Sequence, residues 1–252
     1  MPPSRDLHWD GCLNVRDLGG HMTEDGGETR FRAVVRADSV HQLTDAGWQA
    51  AVEYGVRTVV DLRADEELEA DPPRDLPITV LHVPFMEDNA AAFAEVEAVA
   101  RDAAEAAADL AARTRDVYLI FLEHFKHNVA AAMRAIAHAP EGVVVVHCVG
   151  GKDRTGLLVA FLLHLAGVDS ERIAADYALS EERLRPRHET WIAEAETDAE
   201  RERLRRVTQA PAASMVGVFA KLEERYGGVE NYLRSAGLTD DELELARGRL
   251  RG

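Results

Sequence analysis

The feature that most constrains this chain is a ten-residue segment, His147–Gly156, whose loop connects a buried strand to a buried helix. Before it, Val143–Val146 is a short unbroken run of β-branched residues, which is typical of a strand covered on both faces. After it, Thr155–Ala166 is apolar on every side and is followed by Gly167, which predicts a buried helix with a glycine stop. The order is therefore strand, glycine-containing loop, helix.

A loop in this position predicts an anion-binding site. Successive backbone N–H groups and the positive end of the helix dipole are directed at one point, which favours a tetrahedral anion. A nucleotide-binding loop is excluded by spacing, because Lys152 is followed by Asp153 rather than by Ser or Thr. The predicted phosphate-binding residues are Val149, Gly150, Gly151, Lys152, Asp153 and Arg154.

Cys148, at the base of this loop, has the setting of a nucleophile. The helix dipole, the loop N–H groups and Arg154 all favour the thiolate, which is the reactive form of cysteine. The planar guanidinium of Arg154 can bind two phosphoryl oxygens and stabilise their charge in the transition state. Thr155 can turn its hydroxyl toward the sulfur. The alternative is an inert buried cysteine beside a glycine-rich turn, but the flanking strand and helix favour the catalytic interpretation.

The residues His147–Gly156 resemble the signature of the cysteine-dependent phosphatases, and the form Gly-Lys-Asp-Arg-Thr-Gly resembles the atypical bacterial tyrosine phosphatases. Three further segments resemble the same family, so the resemblance covers nearly the whole chain. They are Asn14–Gly20, Val59–Arg63 and Tyr226–Leu233. It implies hydrolysis of phosphate monoesters through a phosphocysteine, without a metal or other cofactor.

Several residues outside the nucleophile and arginine are predicted to support the loop. In the resembled family the segment around Asn14 lies close to the active site, so Asn14 and Arg16 are candidates, with a structural turn as the alternative. Asp61 and Arg63 come at the carboxyl end of a predicted strand, the edge where ligands bind in open α/β sheets. An ordinary ion pair is the alternative for Asp61. The remaining supporting candidates flank the loop, and they are His147 and Thr155.

The order of elements predicts an α/β fold with a central, mostly parallel sheet flanked by helices. Thr44 can cap a helix over Asp45–Tyr54 that ends at Gly55. This helix lies between the β-branched runs Phe31–Arg36 and Arg57–Leu62, so we expect a right-handed crossover and parallel pairing. Residues 1–252 are expected to form one phosphatase domain.

Residues 89–115 are rich in alanine with scattered charges, which favours a helix with little apolar area to anchor it. We expect a helical lid over the site, with a plain surface helix as the alternative. A packing helix is predicted from the apolar periodicity of Val117–Phe125 and Val129–Ile136. A further helix is predicted from a capping Ser170 to about Leu184.

Asp153 is the predicted general acid, because a carboxyl inside the loop is within reach of the leaving oxygen. Several cysteine phosphatases that have an aspartate directly before the arginine use that aspartate as the general acid. The resemblance implies the same role for Asp153. Asp61 and Asp88 are the alternatives. Asp88 lies where other cysteine phosphatases carry a mobile acid loop, although the surrounding residues do not match.

The charge balance limits the partners. With 29 basic and 45 acidic residues, the formal net charge of −16 disfavours nucleic acid and anionic membranes.

The two cysteines, Cys12 and Cys148, form no disulfide framework and suit a reducing compartment, and Cys12 is expected to be a small buried side chain. No apolar run is long enough for a membrane span and the N-terminus lacks a signal peptide, so a cytoplasmic location is expected, with export without a cleavable signal left open. The oligomeric state is also left open.

Phosphotyrosine in proteins or peptides is the predicted substrate, with phosphoinositides as the chief rival. Lys152 is the reason for the rivalry, because a second cation in the loop resembles the Cys-x-x-Gly-Lys-x-Arg pattern of phosphoinositide phosphatases. Dual specificity and a phosphate-binding module without catalysis are further alternatives. One basic cluster, for which an ion-pair network is favoured over substrate contact, comprises Arg183, Arg185, Arg187 and His188.

Overall fold

A computed structural model describes residues 4–68, 77–105 and 109–251. Within these ranges five strands form one sheet, in the order β1-β2-β5-β3-β4. They are β1 (Arg16–Asp17), β2 (Val34–Ala37), β3 (Val56–Asp61), β4 (Thr79–His82) and β5 (Val143–His147). Among these five strands, only the pairing of β1 with β2 is antiparallel. The predicted central, mostly parallel sheet is confirmed.

Helices flank this sheet. Those of the described residues are α1 (Asp45–Tyr54), α2 (Ala90–Glu105), α3 (Leu110–His124), α4 (Lys126–Ala137), α5 (Arg154–Leu165), α6 (Ser170–Glu194), α7 (Asp198–Val207), α8 (Ala212–Tyr226), α9 (Val229–Ser235) and α10 (Asp240–Leu250). Two short 3₁₀ turns, Val40–Gln42 and Asp65–Glu67, follow β2 and β3. None of the described helices is both long and apolar enough to cross a membrane.

The central strand β5 explains why the sheet needs helices on both sides. Val144 and Val146 pack into the larger core with α4 and α5, whereas Val143 and Val145 pack into a second core that contains Trp48 of α1. All four valines are buried. Fully burying one such side chain contributes about 1.5–3 kcal/mol. The strand that carries the nucleophile is therefore anchored on both faces.

Two predicted helices have different bounds in the structure. The helix after α5 is capped by Asp169 rather than by Ser170, and it continues to Glu194 instead of ending near Leu184. It runs on through Pro186 because its buried face does not stop at Leu184, and His188 one turn later is buried as well. The segment predicted to form one packing helix is divided into α3 and α4 at the buried Phe125.

Residues 89–115, the predicted lid, comprise α2 and the first turns of α3. Residues 106–108 of this range lie outside the described residues. Ala92 of α2 is fully buried and Phe93 is exposed, so α2 rests on the protein by a narrow apolar face.

Candidate active site

Three parallel strands end together at one edge of the sheet. His147, the last residue of β5, is in register with Ala37 of β2 on one side and with Asp61 of β3 on the other. Cys148 follows at once, and Arg154 is the first residue of α5. The loop between them therefore lies over the carboxyl ends of the strands, where ligands bind in open α/β sheets.

Three consecutive carbonyl groups of this loop, those of Val149, Gly150 and Gly151, accept hydrogen bonds from residues outside it. The Val149 carbonyl accepts from the Ser39 N–H at 2.9 Å. Nδ2 of Asn14 donates to the carbonyls of Gly150 at 3.0 Å and Gly151 at 3.1 Å. The Gly151 carbonyl also accepts from Nη2 of Arg36 at 2.7 Å.

The direction of these carbonyls fixes the direction of the next N–H groups, because C=O and N–H point opposite ways across a trans peptide. The N–H groups of Gly150, Gly151 and Lys152 therefore point into the loop. Glycine is required at position 151, where φ is +62° and a Cβ would lie 2.2 Å from the Ala37 carbonyl oxygen. The loop that begins at the buried Cys148, which is 2 % exposed, therefore has three backbone donors directed inward.

Arg154 is oriented by Glu67, a residue that the sequence did not single out. Its Nη1 donates to Glu67 Oε2 at 2.5 Å and its Nη2 to Oε1 at 2.9 Å. Burial alone would lower the pKa of Arg154, but the negative charges of Cys148 and Glu67 outweigh it and hold that pKa above its ordinary value. Arg154 therefore remains a full cation beside the nucleophile.

Asp61 and Arg63 form a buried ion pair at the end of β3. Arg63 Nη2 lies 2.7 Å from Asp61 Oδ2, and His147 Nε2 lies 3.5 Å from the same oxygen. Burial opposes ionisation of Asp61, yet the hydrogen bonds from Arg63 and the charge of His147 keep its pKa below the ordinary value. A carboxylate held ionised in this way is poorly suited to deliver a proton.

Asp153 has a different environment. Its side chain is 44 % exposed, and its Oδ1 accepts from the Tyr118 hydroxyl at 2.5 Å. Asp88, the third candidate acid, is exposed in the segment between β4 and α2.

Lys152 is directed away from the loop N–H groups. Its ammonium donates to the carbonyls of Val207 at 2.5 Å and Gln209 at 3.0 Å, at the C-terminal end of α7. It is 7 % exposed, and Nζ lies 3.6 Å from Asp153 Oδ1. The loop lysine thus fastens α7 beside the site.

Two arginines of the basic cluster form ion pairs. Arg183 pairs with Asp6 and donates to the Val15 carbonyl, and Arg187 Nη2 lies 2.6 Å from Asp38 Oδ2. Arg187 also borders the site cavity, together with His188. Burial, reinforced by the charges of Lys152 and Arg187, lowers the pKa of His188 to about 4.

Two further side chains singled out in the sequence, Cys12 and Thr155, make no hydrogen bond to the loop among the described residues. Cys12 donates its thiol to the Ser39 carbonyl at 3.4 Å, and burial next to Asp38 raises the pKa of that thiol. The Thr155 hydroxyl is buried and has no hydrogen-bond partner among the described residues.

A buried ion cluster holds the two side chains, Asn14 and Arg36, that donate to the carbonyls of Gly150 and Gly151. Asp176 of α6 binds Arg16 Nε at 3.0 Å, Arg36 Nη1 at 2.8 Å and Arg5 Nη2 at 2.8 Å. Burial opposes ionisation of Asp176, but the charges of Arg16 and Arg36 hold its pKa far below the ordinary value. Arg16 in turn donates to Asn14 Oδ1 at 2.6 Å, so both side chains that bind the loop carbonyls depend on this cluster.

A cavity of about 550 Å³ opens above the nucleophile, lined by residues that include Cys148, Arg154, His188, Trp191 and Arg203. A second cavity of about 500 Å³ adjoins it and shares Asp153 and Arg154. In the described part of the chain, no group of three or more His, Cys, Asp or Glu side chains could hold a metal ion.

The sequence profile of the tyrosine phosphatase family matches residues 7–252. The chain belongs to this family. It is 29 % identical over 227 residues to a tyrosine-protein phosphatase of Nostoc commune, covering 86 % of this chain and 74 % of that protein. It is 27 % identical over 278 residues to the triple specificity protein phosphatase PtpB of Mycobacterium tuberculosis, covering 96 % of this chain and 98 % of that protein. The resemblance seen in the loop is confirmed, and the protein is a tyrosine phosphatase and therefore a hydrolase.

Proposed function

We propose that this tyrosine phosphatase acts through a phosphocysteine on Cys148, with Asp153 as the general acid. The Cys148 thiolate attacks phosphorus, the bond to the tyrosine oxygen breaks, and Asp153 gives that oxygen a proton. Water then attacks the phosphocysteine, its proton passes to the Asp153 carboxylate, and inorganic phosphate and the thiolate are released. The substrates would be phosphotyrosine proteins or peptides.

The observation that carries this proposal is the outward direction of three consecutive loop carbonyls. It leaves the N–H groups of Gly150, Gly151 and Lys152 converging on the space next to Cys148. Such fixed donors stabilise the charge that develops on equatorial phosphoryl oxygens without reorganising during the reaction. Arg154 adds a cation that Glu67 holds in place.

The choice of Asp153 over the other acids rests on environment. Asp61 is ionised and buried against Arg63. Asp88 is exposed beyond β4. Asp153 borders both cavities and stands one residue before Arg154, which supports it as the proton donor to the leaving oxygen.

A broader substrate range is the second candidate. The Mycobacterium tuberculosis relative is named for triple specificity. In this chain Arg113, Arg203 and Arg206 line the cavity beside the site, where a second phosphate of a phosphoinositide or an acidic peptide residue would bind. Lys152 would contribute only after leaving the Val207 and Gln209 carbonyls.

A turnover screen separates these candidates. Phosphotyrosine peptides, phosphoserine or phosphothreonine peptides and soluble phosphoinositide head groups would be compared by kcat/KM, with Cys148→Ser as the blank. We expect the highest value for phosphotyrosine peptides. A far higher value for phosphoinositides would make the lipid headgroup the principal substrate. Ligand binding without turnover by the wild type would leave only a phosphate-binding module.

The proposal extends to the wider molecule. Residues 1–252 act as one phosphatase domain. The described parts of residues 89–115 act as a lid, since Val96 of α2 and Arg113 of α3 line the adjoining cavity. The enzyme works in the cytoplasm, where reducing conditions keep Cys148 as a free thiol.

A further inference from the structure

Asp153 makes a hydrogen bond that its position in the loop does not require. It is the N-cap residue of α5, where an aspartate usually accepts from the N–H groups of the first turn. Here its φ of −82° and ψ of −73° are helical, and its carboxylate makes no capping bond. Its Oδ1 instead accepts from Tyr118 Oη at 2.5 Å.

Tyr118 is itself held from the other side. It is 2 % exposed, and its hydroxyl lies 2.8 Å from the hydroxyl of Tyr177. A phenol has one proton, so Tyr118 can donate to Asp153 only if Tyr177 donates to Tyr118. The hydrogen bonds therefore run in one direction, from Tyr177 of α6 through Tyr118 of α3 to Oδ1 of Asp153.

The two oxygens of the Asp153 carboxyl are consequently unequal. Oδ1 accepts from Tyr118 and lies 3.6 Å from the Lys152 ammonium. Oδ2 receives no hydrogen bond from the residues that the structure describes. A proton on Oδ1 would face the Tyr118 hydroxyl and the lysine cation, whereas a proton on Oδ2 meets neither.

We propose that Tyr118 is a positioning residue for the acid, which reserves Oδ1 as an acceptor and directs the transferable proton to Oδ2. This inference rests on the proposed function, in which Asp153 is the acid. When Oδ2 gives its proton to the leaving oxygen, Asp153 gains a full charge and the Tyr118 hydrogen bond strengthens, because hydrogen bonds to ionised groups are about twice as strong as neutral ones. Tyr118 therefore assists the step in which the leaving oxygen takes a proton from Asp153. It does not assist hydrolysis of the phosphocysteine, in which water returns a proton to Asp153.

The test compares two substrates that need this proton to different degrees. The leaving phenol of phenyl phosphate must be protonated, while p-nitrophenolate leaves well without a proton. For Tyr118→Phe we expect kcat on phenyl phosphate to fall about ten- to hundredfold, as for loss of a hydrogen bond to a charged group. On p-nitrophenyl phosphate we expect kcat to stay within about threefold. Inhibition by inorganic phosphate should be unchanged, because no loop N–H group is altered.

A matched control and a double variant complete the experiment. Tyr226→Phe removes another phenol that donates to a carboxylate: Tyr226, the last residue of α8, donates to Glu123 Oε2 of α3 at 2.6 Å on the surface. It should leave both substrates unaffected. In the Asp153→Asn background, adding Tyr118→Phe should not lower kcat on phenyl phosphate any further, because the two residues act in one step.

Two outcomes would overturn the inference. Tyr118→Phe would slow both substrates equally if the hydroxyl only stabilised the fold, or it would add its full effect to that of Asp153→Asn if it acted elsewhere. Failure of the proposed function looks different: in that case Asp153→Asn itself would show no preference between the two substrates.

Discussion

The guanidinium of Arg154 donates to both carboxylate oxygens of Glu67, across 87 residues of sequence, at 2.5 and 2.9 Å. Glu67 Oε2 also accepts from the Ala64 N–H at 2.8 Å, which fixes the carboxylate on its own turn. A bidentate pair has one preferred geometry. Glu67 therefore decides which edge of Arg154 faces the phosphate.

Glu67→Gln tests this positioning. We expect kcat/KM on aryl phosphates to fall about 10–100-fold, because a misplaced transition-state contact is costly even when the contact survives. Glu66→Gln, an exposed neighbour on the same turn, removes the same charge and should change little. A rise in activity with Glu67→Gln would show instead that Glu67 restrains Arg154 from binding phosphate.

Asp153→Asn tests the acid. The asparagine cannot give up a proton, so kcat on phenyl phosphate should fall about 10²–10⁴-fold. The decrease of kcat at high pH, which reports deprotonation of the acid, should disappear. Asp61→Asn and Asp88→Asn are the comparison variants. If either of them abolished that limb of the pH profile while Asp153→Asn did not, the assignment would be wrong.

Asn14→Asp tests how the loop carbonyls are held. The change replaces an NH₂ donor by an oxygen that faces the carbonyls of Gly150 and Gly151 at 3.0 and 3.1 Å. An unsatisfied buried acceptor costs about 1–3 kcal/mol, so we expect inhibition by vanadate to weaken about 5–100-fold. Asn231→Asp, which breaks an equivalent bond to the Gly227 carbonyl on the surface, is the control. Equal effects of the two variants on vanadate would contradict the account.

A pH dependence of stability follows from His21. Burial of His21 and the charges of Arg5, Arg16 and Arg36 outweigh the attraction of Asp176. They lower the pKa of His21 from 6.5 to about 4. As the pH falls below 6.5, the unfolded chain binds this proton before the folded protein does, so stability present above pH 6.5 is lost toward pH 4.

Urea unfolding of wild type and His21→Gln between pH 7 and pH 4 measures this effect. The wild type should lose about 3 kcal/mol more than the variant over that interval, since each unit of pKa difference corresponds to about 1.4 kcal/mol. The exposed His8→Gln serves as control. Parallel stability curves for wild type and His21→Gln would remove His21 from the explanation.

The sequence predicted the parts of the site that are local. The four valines before His147, the glycines of the loop and the apolar helix after it specify strand, loop and helix within 20 or so residues, because each signal is carried by adjacent positions. The cap of α1 was predicted for the same reason: Thr44 accepts from the Gly47 N–H three residues later. The end of α6 was not, because Pro186 is tolerated there by packing rather than by propensity.

The remaining parts of the site come from distant positions and left no local signal. Glu67 meets Arg154, Tyr118 meets Asp153, and Arg36 meets Asp176 over separations of 87, 35 and 140 residues. In the sequence Glu67, Tyr118, Arg36 and Asp176 are ordinary charged or aromatic residues of a turn, strand or helix. The order of the strands brings Arg36 and Glu67 to the loop, and the packing of α3 and α6 brings Tyr118 and Asp176 to it.

The most direct test of the central claim is to trap the intermediate. Wild type and Asp153→Asn would be mixed with p-nitrophenyl phosphate, quenched in acid within milliseconds and analysed by peptide mass spectrometry. We expect one phosphoryl group on the peptide that contains Cys148, more of it in Asp153→Asn because hydrolysis of the phosphocysteine is slowed, and none in Cys148→Ser. Turnover without any phosphoryl group on Cys148, or with one on another residue, would contradict the mechanism.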